Sequence, residues 1–518
     1  MEITRGQSWP SVIATVVAAA FLYGFMRLFQ HRRAYKDLPK PPHHFLWGHL
    51  KLMGETFALF PGNPHFQVVI TTLQRKYNLP GLWYLDLWPI GPTQMIVTDP
   101  DLALYVTVHK NHPKHPAEAI FVDPVVGNNN IVTVDGPRWK HLHNMLAPAF
   151  GVSRVRDMLP MVAEEVMAYR EALKKFAQSG EIFSLAKTTN NLTFDIIGKA
   201  IFGFSMGAQS NGNALMIFEE ICHAFSIERD SWDPIKRYFA RQKRLAVIKR
   251  MDLILEGMVR ERFEAVRREN LDVSKKIGLS IMSYVIASIV SANLTLLLGG
   301  SGTTTDTVCF TFMLLSVHPE IVQKLREEHD RVFTPGIEAS YAMLCEQPNK
   351  INELEYTTNV IKETLRLYPI GNTARGADST GFVAYEGVQY PTKDQMICPV
   401  QFAMQHDPRI FPNPEKYDPD RFTRDESPRH AWRPFERGPR ACLGQSLAMD
   451  EIRTILLLTV RDFDFKCANL KPNKVQRVPW TDIDLTFGDR GFQEFVFEAR
   501  PRDGMPMIVS SASTANGL

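Results

Sequence analysis

Phe435-Glu436-Arg437-Gly438-Pro439-Arg440-Ala441-Cys442-Leu443-Gly444 is the stretch on which the reading of this chain turns. Reduced to fixed offsets it is Phe-x-x-Gly-x-Arg-x-Cys-x-Gly. Gly and Pro force turns, so Cys442 is expected in a loop. Gly438 and Gly444 let backbone pass close to a flat ligand. From Gln445 the pattern Gln445-Ser446-Leu447-Ala448-Met449-Asp450-Glu451-Ile452 turns helical. A cysteine just ahead of a helix start has its thiolate favoured by the positive helix end and by free N–H groups. Arg437 and Arg440 add positive charge. A lone cysteine is more often a small buried hydrophobe, and Cys222, Cys309, Cys345, Cys398 and Cys467 are read that way. Cys442 differs because Phe435, two glycines and an arginine surround it at set spacing. It is the candidate iron-holding thiolate.

Upstream, Glu363-Thr364-Leu365-Arg366 places an acid and a base on one helix face. The spacing alone carries no weight, since it recurs at Glu264/Arg267 and Glu328/Arg331. Its position ahead of Tyr417-Asp418-Pro419-Asp420-Arg421-Phe422 and then of Cys442 raises it. The uncharged run from Gly278 to Thr305 holds Leu298-Gly299-Gly300-Ser301-Gly302-Thr303. That run is either a second membrane span or a central helix buried all round; the buried helix is preferred. Trp139-Lys140-His141-Leu142-His143 sets an indole and an imidazole one turn apart. His109, His112 and His115 resemble a metal cluster, but Pro113 and Pro116 break any single helical face, so a polar loop is expected.

The loop, down to Trp432-Arg433-Pro434-Phe435 ahead of it, resembles the haem-binding loop of the cytochrome P450 family. The resemblance implies a mainly α fold with small β-sheets, haem b with Cys442 as its axial thiolate, and Phe435, Gly438 and Arg440 around it. It implies that Glu363, Arg366 and Arg421 form a buried structural charge cluster. Trp139 matches a haem-propionate partner, and His143 stands where the family usually has arginine. A neutral imidazole donates a hydrogen bond but carries no fixed charge. Arg440 and Arg375, guanidinium donors suited to carboxylates, are therefore expected to hold the propionates. Thr303 matches the catalytic, proton-delivering hydroxyl, with glycines that let the helix distort beside it. The chain departs from the family at Gly302, where an acid is usual. Asp306, nearly one turn on from Thr303, is the nearest stand-in.

The 518 residues carry 45% hydrophobic side chains, enough for a large core, and a net charge of +3, which gives no argument for a nucleic-acid partner. Six cysteines without a CxxC suit a reducing compartment. The apolar run Trp9 to Met26 is about the ~20 residues that cross a bilayer, and Arg27, Arg32, Arg33, Lys36 and Lys40 follow. This predicts a single-pass anchor with the bulk of the chain in the cytosol, by the resemblance at the endoplasmic reticulum; a signal peptide cleaved near Ala18-Ala19-Ala20 is the competing reading. The expected organisation is an anchor over 1–35, a proline-containing hinge over 36–50, a haem domain over 51–509 and a flexible tail over 510–518. Two short strands are expected over Gly81–Ile90 and Met95–Pro100. A loop is expected over 117–135, and largely helix from Trp139 to Glu328. A hairpin turning at Glu386-Gly387 should follow. Asp407–Pro419 is expected to be irregular, and the end to run strand, turn, strand over Glu494–Glu498 and Pro501–Met505.

By resemblance the chain is a monooxygenase that places one atom of O2 in a small apolar substrate, with electrons from a membrane-bound NADPH–cytochrome P450 reductase. Segments such as Pro41-Pro42-His43-His44-Phe45-Leu46-Trp47-Gly48 and Gln405-His406-Asp407-Pro408 are similar to fungal secondary-metabolism members, among them the versicolorin-oxidising enzymes, which implies a polyketide-type substrate. Two rivals stand beside this reading. One is a haem-thiolate isomerase or dehydratase that needs no reductase. The other is a non-catalytic haem-binding membrane protein.

Overall fold

The computed structural model describes residues 9–210, 212–268, 290–426, 428–496 and 499–512. Its longer helices are α1 (Trp9–Ala34), α2 (Leu50–Phe57), α3 (Phe66–Lys76), α4 (Pro116–Val126), α5 (Gly136–Leu146), α6 (Val152–Ser179) and α7 (Leu185–Phe202). They continue with α8 (Asn213–Asp230), α9 (Pro234–Arg268), α10 (Val290–Leu315), α11 (Pro319–Phe333), α12 (Ile337–Glu346), α13 (Glu355–Leu367) and α14 (Gln445–Thr459). The strands are β1 (Leu82–Leu85), β2 (Thr93–Val97), β3 (Phe183–Ser184), β4 (Phe382–Tyr385), β5 (Val388–Pro391), β6 (Gln395–Pro399), β7 (Phe463–Cys467), β8 (Glu494–Phe495), β9 (Ala499–Arg500) and β10 (Pro506–Ser511). They form small sheets, so the fold is mainly α, as expected.

One sheet has the order β1-β2-β6, with β1 antiparallel to β2 (Leu82 opposite Val97) and β6 parallel to β2 (Thr93 opposite Gln395). Both expected strands of the 81–100 region are therefore present. All four residues of β1 are buried, which explains its uninterrupted Leu-Trp-Tyr-Leu sequence. The β4–β5 hairpin turns at Glu386-Gly387, both at positive φ (48° and 77°), as a tight hairpin turn demands. Asp407–Pro419 is irregular.

Four expectations change. Residues 117–135 do not form one loop: α4 occupies their first part. His115 caps it by accepting from Ala117 N (3.1 Å), and Pro116 takes the first helical position. Its internal Pro124 and the following Gly127 hid the helix from a propensity reading. The second arm at the chain's end is shifted. β8 pairs with β9, a short turn over Arg502–Gly504 follows, and β10 pairs with β7. Ser510 and Ser511 belong to β10, so ordered backbone enters the segment read as a tail. Third, the glycines of 299–302 do not break α10, which is continuous helix there. Fourth, the polar loop expected at His112 and His115 is present but partly buried: His112 is buried with Nδ1 3.0 Å from Gly376 O, and His115 is the α4 cap. The 278–289 part of the uncharged run, Glu498 of the final arm and residues 513–518 lie outside the described residues.

α10 is a buried central helix rather than a membrane span. Leu294, Leu297, Val308, Cys309, Phe310 and Phe312 are all buried. Polar pins join it to α7: Ser301 Oγ donates to Asn190 Oδ1 (2.7 Å) and the Thr305 and Thr193 hydroxyls are 2.8 Å apart. Gly300 allows the close approach, because a Cβ there would come within 2.7 Å of Ile197. Gly299 has nothing within 4 Å of the same point. Gly300→Ala is therefore expected to lose about 1–3 kcal/mol by overpacking, while Gly299→Ala is neutral or gains up to ~1 kcal/mol of helix propensity. Denaturant unfolding of the two variants checks this contrast.

Candidate functional site

Cys442 occupies the loop between the residues 429–431 turn and α14, as its glycines and proline indicate. Its backbone N–H donates to Phe435 O (2.9 Å), and Ala441 N donates to Gly438 O (3.0 Å), which closes the loop on itself. Gly438 is at φ +81°, and a Cβ there would stand 2.8 Å from Thr107 O. Its lack of a side chain thus lets the loop seat on the turn beneath it, Tyr105–His109. Burial pushes the Cys442 thiol up, and hydrogen bonding from the Gly444 and Gln445 backbone pulls partly against it. The helix start does favour the thiolate, as expected, but desolvation is the larger effect. Cys442 nonetheless presents open surface, unlike Cys309, Cys398 and Cys467, which are buried in the core.

The charge cluster is brought together in full. Glu363 Oε2 accepts from Arg366 Nε (2.8 Å) and Oε1 from Arg366 Nη2 (2.9 Å) and Arg421 Nε (3.0 Å). All three side chains are buried. Their remaining donors are used: Arg366 reaches Gln405 O and Lys416 O, and Arg421 reaches Pro412 O and Asn413 O. A path of bonds leads on to the cysteine loop. Gln405 Nε2 donates to Arg366 O, Arg433 N donates to Gln405 Oε1, and Arg433 Nη2 is 2.6 Å from Glu436 Oε2. Trp432 Nε1 donates to Lys362 O (2.9 Å) and its ring lies 6.0 Å from that of Phe435.

Trp139, His143 and Arg440 also meet. The indole and imidazole centroids are 4.8 Å apart, and the Arg440 guanidinium lies 4.4 Å over the indole. Arg440 is ion-paired with Asp135 and donates to Val134 O (2.7 Å). It is thus already matched by a carboxylate that the sequence reading did not single out. Arg375 differs. It is 1% exposed and one Nη donates to His112 O (3.0 Å), but Nε and the other Nη have no partner among the described residues. Burial lowers its pKa, which makes a bound anion there more favourable. Lys114 and Glu118, also missed, pair at 2.9 Å beside it, and Glu118 accepts from Ala374 N (2.6 Å). Pro113 and Pro116 disguised that i,i+4 pair as loop residues.

On α10, Gly299 is exposed and Thr303 half-buried, although the turns on either side are buried. The Thr303 hydroxyl donates to Gly299 O (2.7 Å) on this open face. Leu297 and Leu447 belong to one apolar cluster, with Leu298 and Leu443 at its edge. The open face of α10 and the Cys442 loop therefore border the same apolar body. Asp306 is buried and bears electrostatically on Cys309, one turn on, where it helps raise that thiol. No group of three or more His, Cys, Asp and Glu side chains suited to a metal ion occurs among the described residues. Glu363→Gln would leave Arg366 and Arg421 buried without their counter-charge. It is expected to cost about 3–5 kcal/mol, read as a lower midpoint in urea unfolding.

Residues 38–483 match the cytochrome P450 family. A cytochrome P450 monooxygenase of Polytolypa hystricis, polC, is 30% identical, with 96% of this chain and 94% of that protein covered. Another, acrF of Aspergillus aculeatus, is 30% identical over 87% of this chain and 98% of its own length. The fold is that of the cytochrome P450DA heme domain, with a TM-score of 0.73 at 21% identity, covering 92% of this chain and 97% of the other. The family holds haem iron through a cysteine thiolate. The chain belongs to the cytochrome P450 family and is a monooxygenase.

Proposed function

We propose that this monooxygenase hydroxylates an apolar polyketide-type secondary metabolite at a haem ligated by Cys442, with electrons from an NADPH–cytochrome P450 reductase. The observation that carries the site is the unpartnered pair of donors on buried Arg375, next to a loop whose one open sulfur faces shared apolar packing. A haem fits these groups: a thiol for the iron, a guanidinium for a propionate, and Phe435 and the Leu298–Thr303 face for the ring. Bound there, haem supplies the iron chemistry that splits O2, one atom entering a C–H bond of the substrate and the other leaving as water.

The chain's own residues do the rest. The Gly444 and Gln445 N–H groups stabilise negative charge on Cys442 Sγ. Arg375, with Trp139, His143 and Arg440 over the indole, would hold the propionates of a bound haem. The Thr303 Oγ–H, which donates to Gly299 O, would be the proton-bearing hydroxyl on this face of a bound haem. Gly302 offers no carboxylate to resupply it, so water does. Leu298 and Gly299 exclude polar substrate groups from that face. The helix α1, long and apolar enough over Val12–Ala34 to cross a membrane and with its most apolar 18-residue window unburied, supports a single-pass anchor. The basic residues after it favour a haem domain facing the cytosol, at the endoplasmic reticulum. The domain boundaries follow: anchor to 35, proline segment to 50, haem domain beyond.

Gly302 is the specific feature that favours a second reading, a haem-thiolate isomerase or dehydratase. Turnover that persists without NADPH and reductase would establish it. The versicolorin-oxidising likeness makes aromatic polyketides the first compounds to test, by product mass in a producing host. Cys442→Ala is expected to abolish product; an unchanged product profile sinks the proposal. Gly302→Asp is expected to raise product formed per NADPH and lower peroxide release. Because burial raises the Cys442 thiol, haem binding must expel a proton. Affinity of the haem-free chain for haem is expected to rise up to about tenfold per pH unit between pH ~6 and 8, measured by absorbance titration.

A further inference from the structure

The two ends of α14 lead to different chemistry. Its first turn follows Cys442. Its last turn, ~22 Å of helix away, leads into residues 460–462 and then β7. A cavity of about 220 Å³ lies there, lined by Arg326 and Asp330 of α11, Gly336 and Ile337 at the start of α12, and Arg461 and Asp462. A single water needs only ~10–15 Å³ of such space, so the cavity has room for a larger polar guest.

Three sets of donors line it. Arg461 is held rigidly: Nη1 donates to Thr334 O (2.8 Å) and Asp330 Oδ1 (3.2 Å), and Nη2 to Ser340 Oγ (2.6 Å). Its side chain is 7% exposed, yet Nε has no partner among the described residues. Arg326 is held by Val460 O (2.9 Å) and Asp464 Oδ1 (2.6 Å). The third set is the N-terminus of α12. The first N–H groups of a helix lack intrahelical acceptors, and the N-cap here is Gly336, which brings no capping oxygen. Open space stands where a Gly336 Cβ would be. A helix start beside two guanidinium groups suits a tetrahedral oxyanion.

The carboxylates on the same walls select among oxyanions. Asp330 is paired with Arg461 and Asp462 with Arg170, and both line the cavity. Ionised carboxylates only accept hydrogen bonds, so they repel an anion that carries no proton. Hydrogenphosphate keeps one P–O–H at neutral pH, and that hydroxyl donates well to a carboxylate. Sulfate has no such proton, and a phosphate monoester has lost its own.

We propose that this cavity binds inorganic phosphate in preference to sulfate. The Arg326 and Arg461 guanidinium groups and the α12 N–H groups hold the unprotonated oxygens, and the P–O–H donates to Asp330 or Asp462. The bound anion joins α11, α12 and the end of α14 at a point remote from the cysteine loop.

The test uses the haem-loaded full chain in phosphate-free detergent micelles at about pH 7.5, where monoesters are dianions. Sodium phosphate, sulfate and chloride are titrated in turn by calorimetry at matched ionic strength. Phosphate is expected to bind saturably, at least about tenfold more tightly than sulfate, which is the effect of one charge-assisted hydrogen bond. Chloride should give no saturable heat. Arg326→Gln is expected to weaken phosphate binding about tenfold. At least one of Asp330→Asn and Asp462→Asn is expected to equalise the two oxyanions, a change of selectivity that a merely structural role would not produce. The carbonyl spectrum of the reduced haem reports that each variant is folded. Equal affinities for phosphate and sulfate in the unaltered chain overturn the proposal, as does the absence of saturable phosphate heat. Selectivity retained in both aspartate variants, or phosphate binding undiminished by Arg326→Gln, puts the anion elsewhere and overturns it too.

Discussion

The Glu363 carboxylate is the constraint on which the site depends. It is removed from water and matched there, because three guanidinium N–H groups and the Asp418 N–H converge on it. Isolated, such a charge would be untenable in the interior. The two arginines in turn need their other donors satisfied, and they satisfy them on carbonyls at 405, 412, 413 and 416. An irregular segment that propensity alone could not order is thus stitched to α13. From Gln405 the stitching passes to Arg433 and Glu436, and so to the loop that presents Cys442.

The two sides of the site are built by different physics. The thiol side is polar and over-determined: backbone bonds close the loop, and a positive φ at Gly438 seats it on Thr107. The oxygen side is made by omission. Gly299 leaves space, Gly300 lets α7 approach, and Gly302 withholds a carboxylate. Thr303 places its hydroxyl on that open face, occupied with its own helix carbonyl. Arg375 gives the same lesson from burial: two donors without a partner among the described residues describe an anion more directly than any sequence spacing does.

The N-terminal helix adds a second layer. Asp86 ties α1 to the first sheet, and with it the apolar turn at 45–47. The sequence shows an apolar run followed by basic residues and prolines, which reads as a tether. The fold converts it into a bracket, because Arg32 gains four partners that are distant in sequence.

Local chemistry was legible without the fold. The cysteine loop and the helix after it, the hairpin at Glu386-Gly387, the β1–β2 pair and the Glu363–Arg366 spacing all follow from residues within a few positions of one another. Their determinants are turn geometry and helical periodicity, which act over short range. The α4 helix was missed where local signals conflicted, with Pro116, Pro124 and Gly127 arguing against a helix that its cap and burial support. What only the tertiary structure decided are the partnerships across long separations: Asp135 with Arg440, Lys114 and Glu118 against 373–374, Asp86 with Arg32, and Arg375 left with spare donors. A side chain's charge is written in the sequence, but whether that charge is matched, and by what, depends on which distant backbone is folded against it.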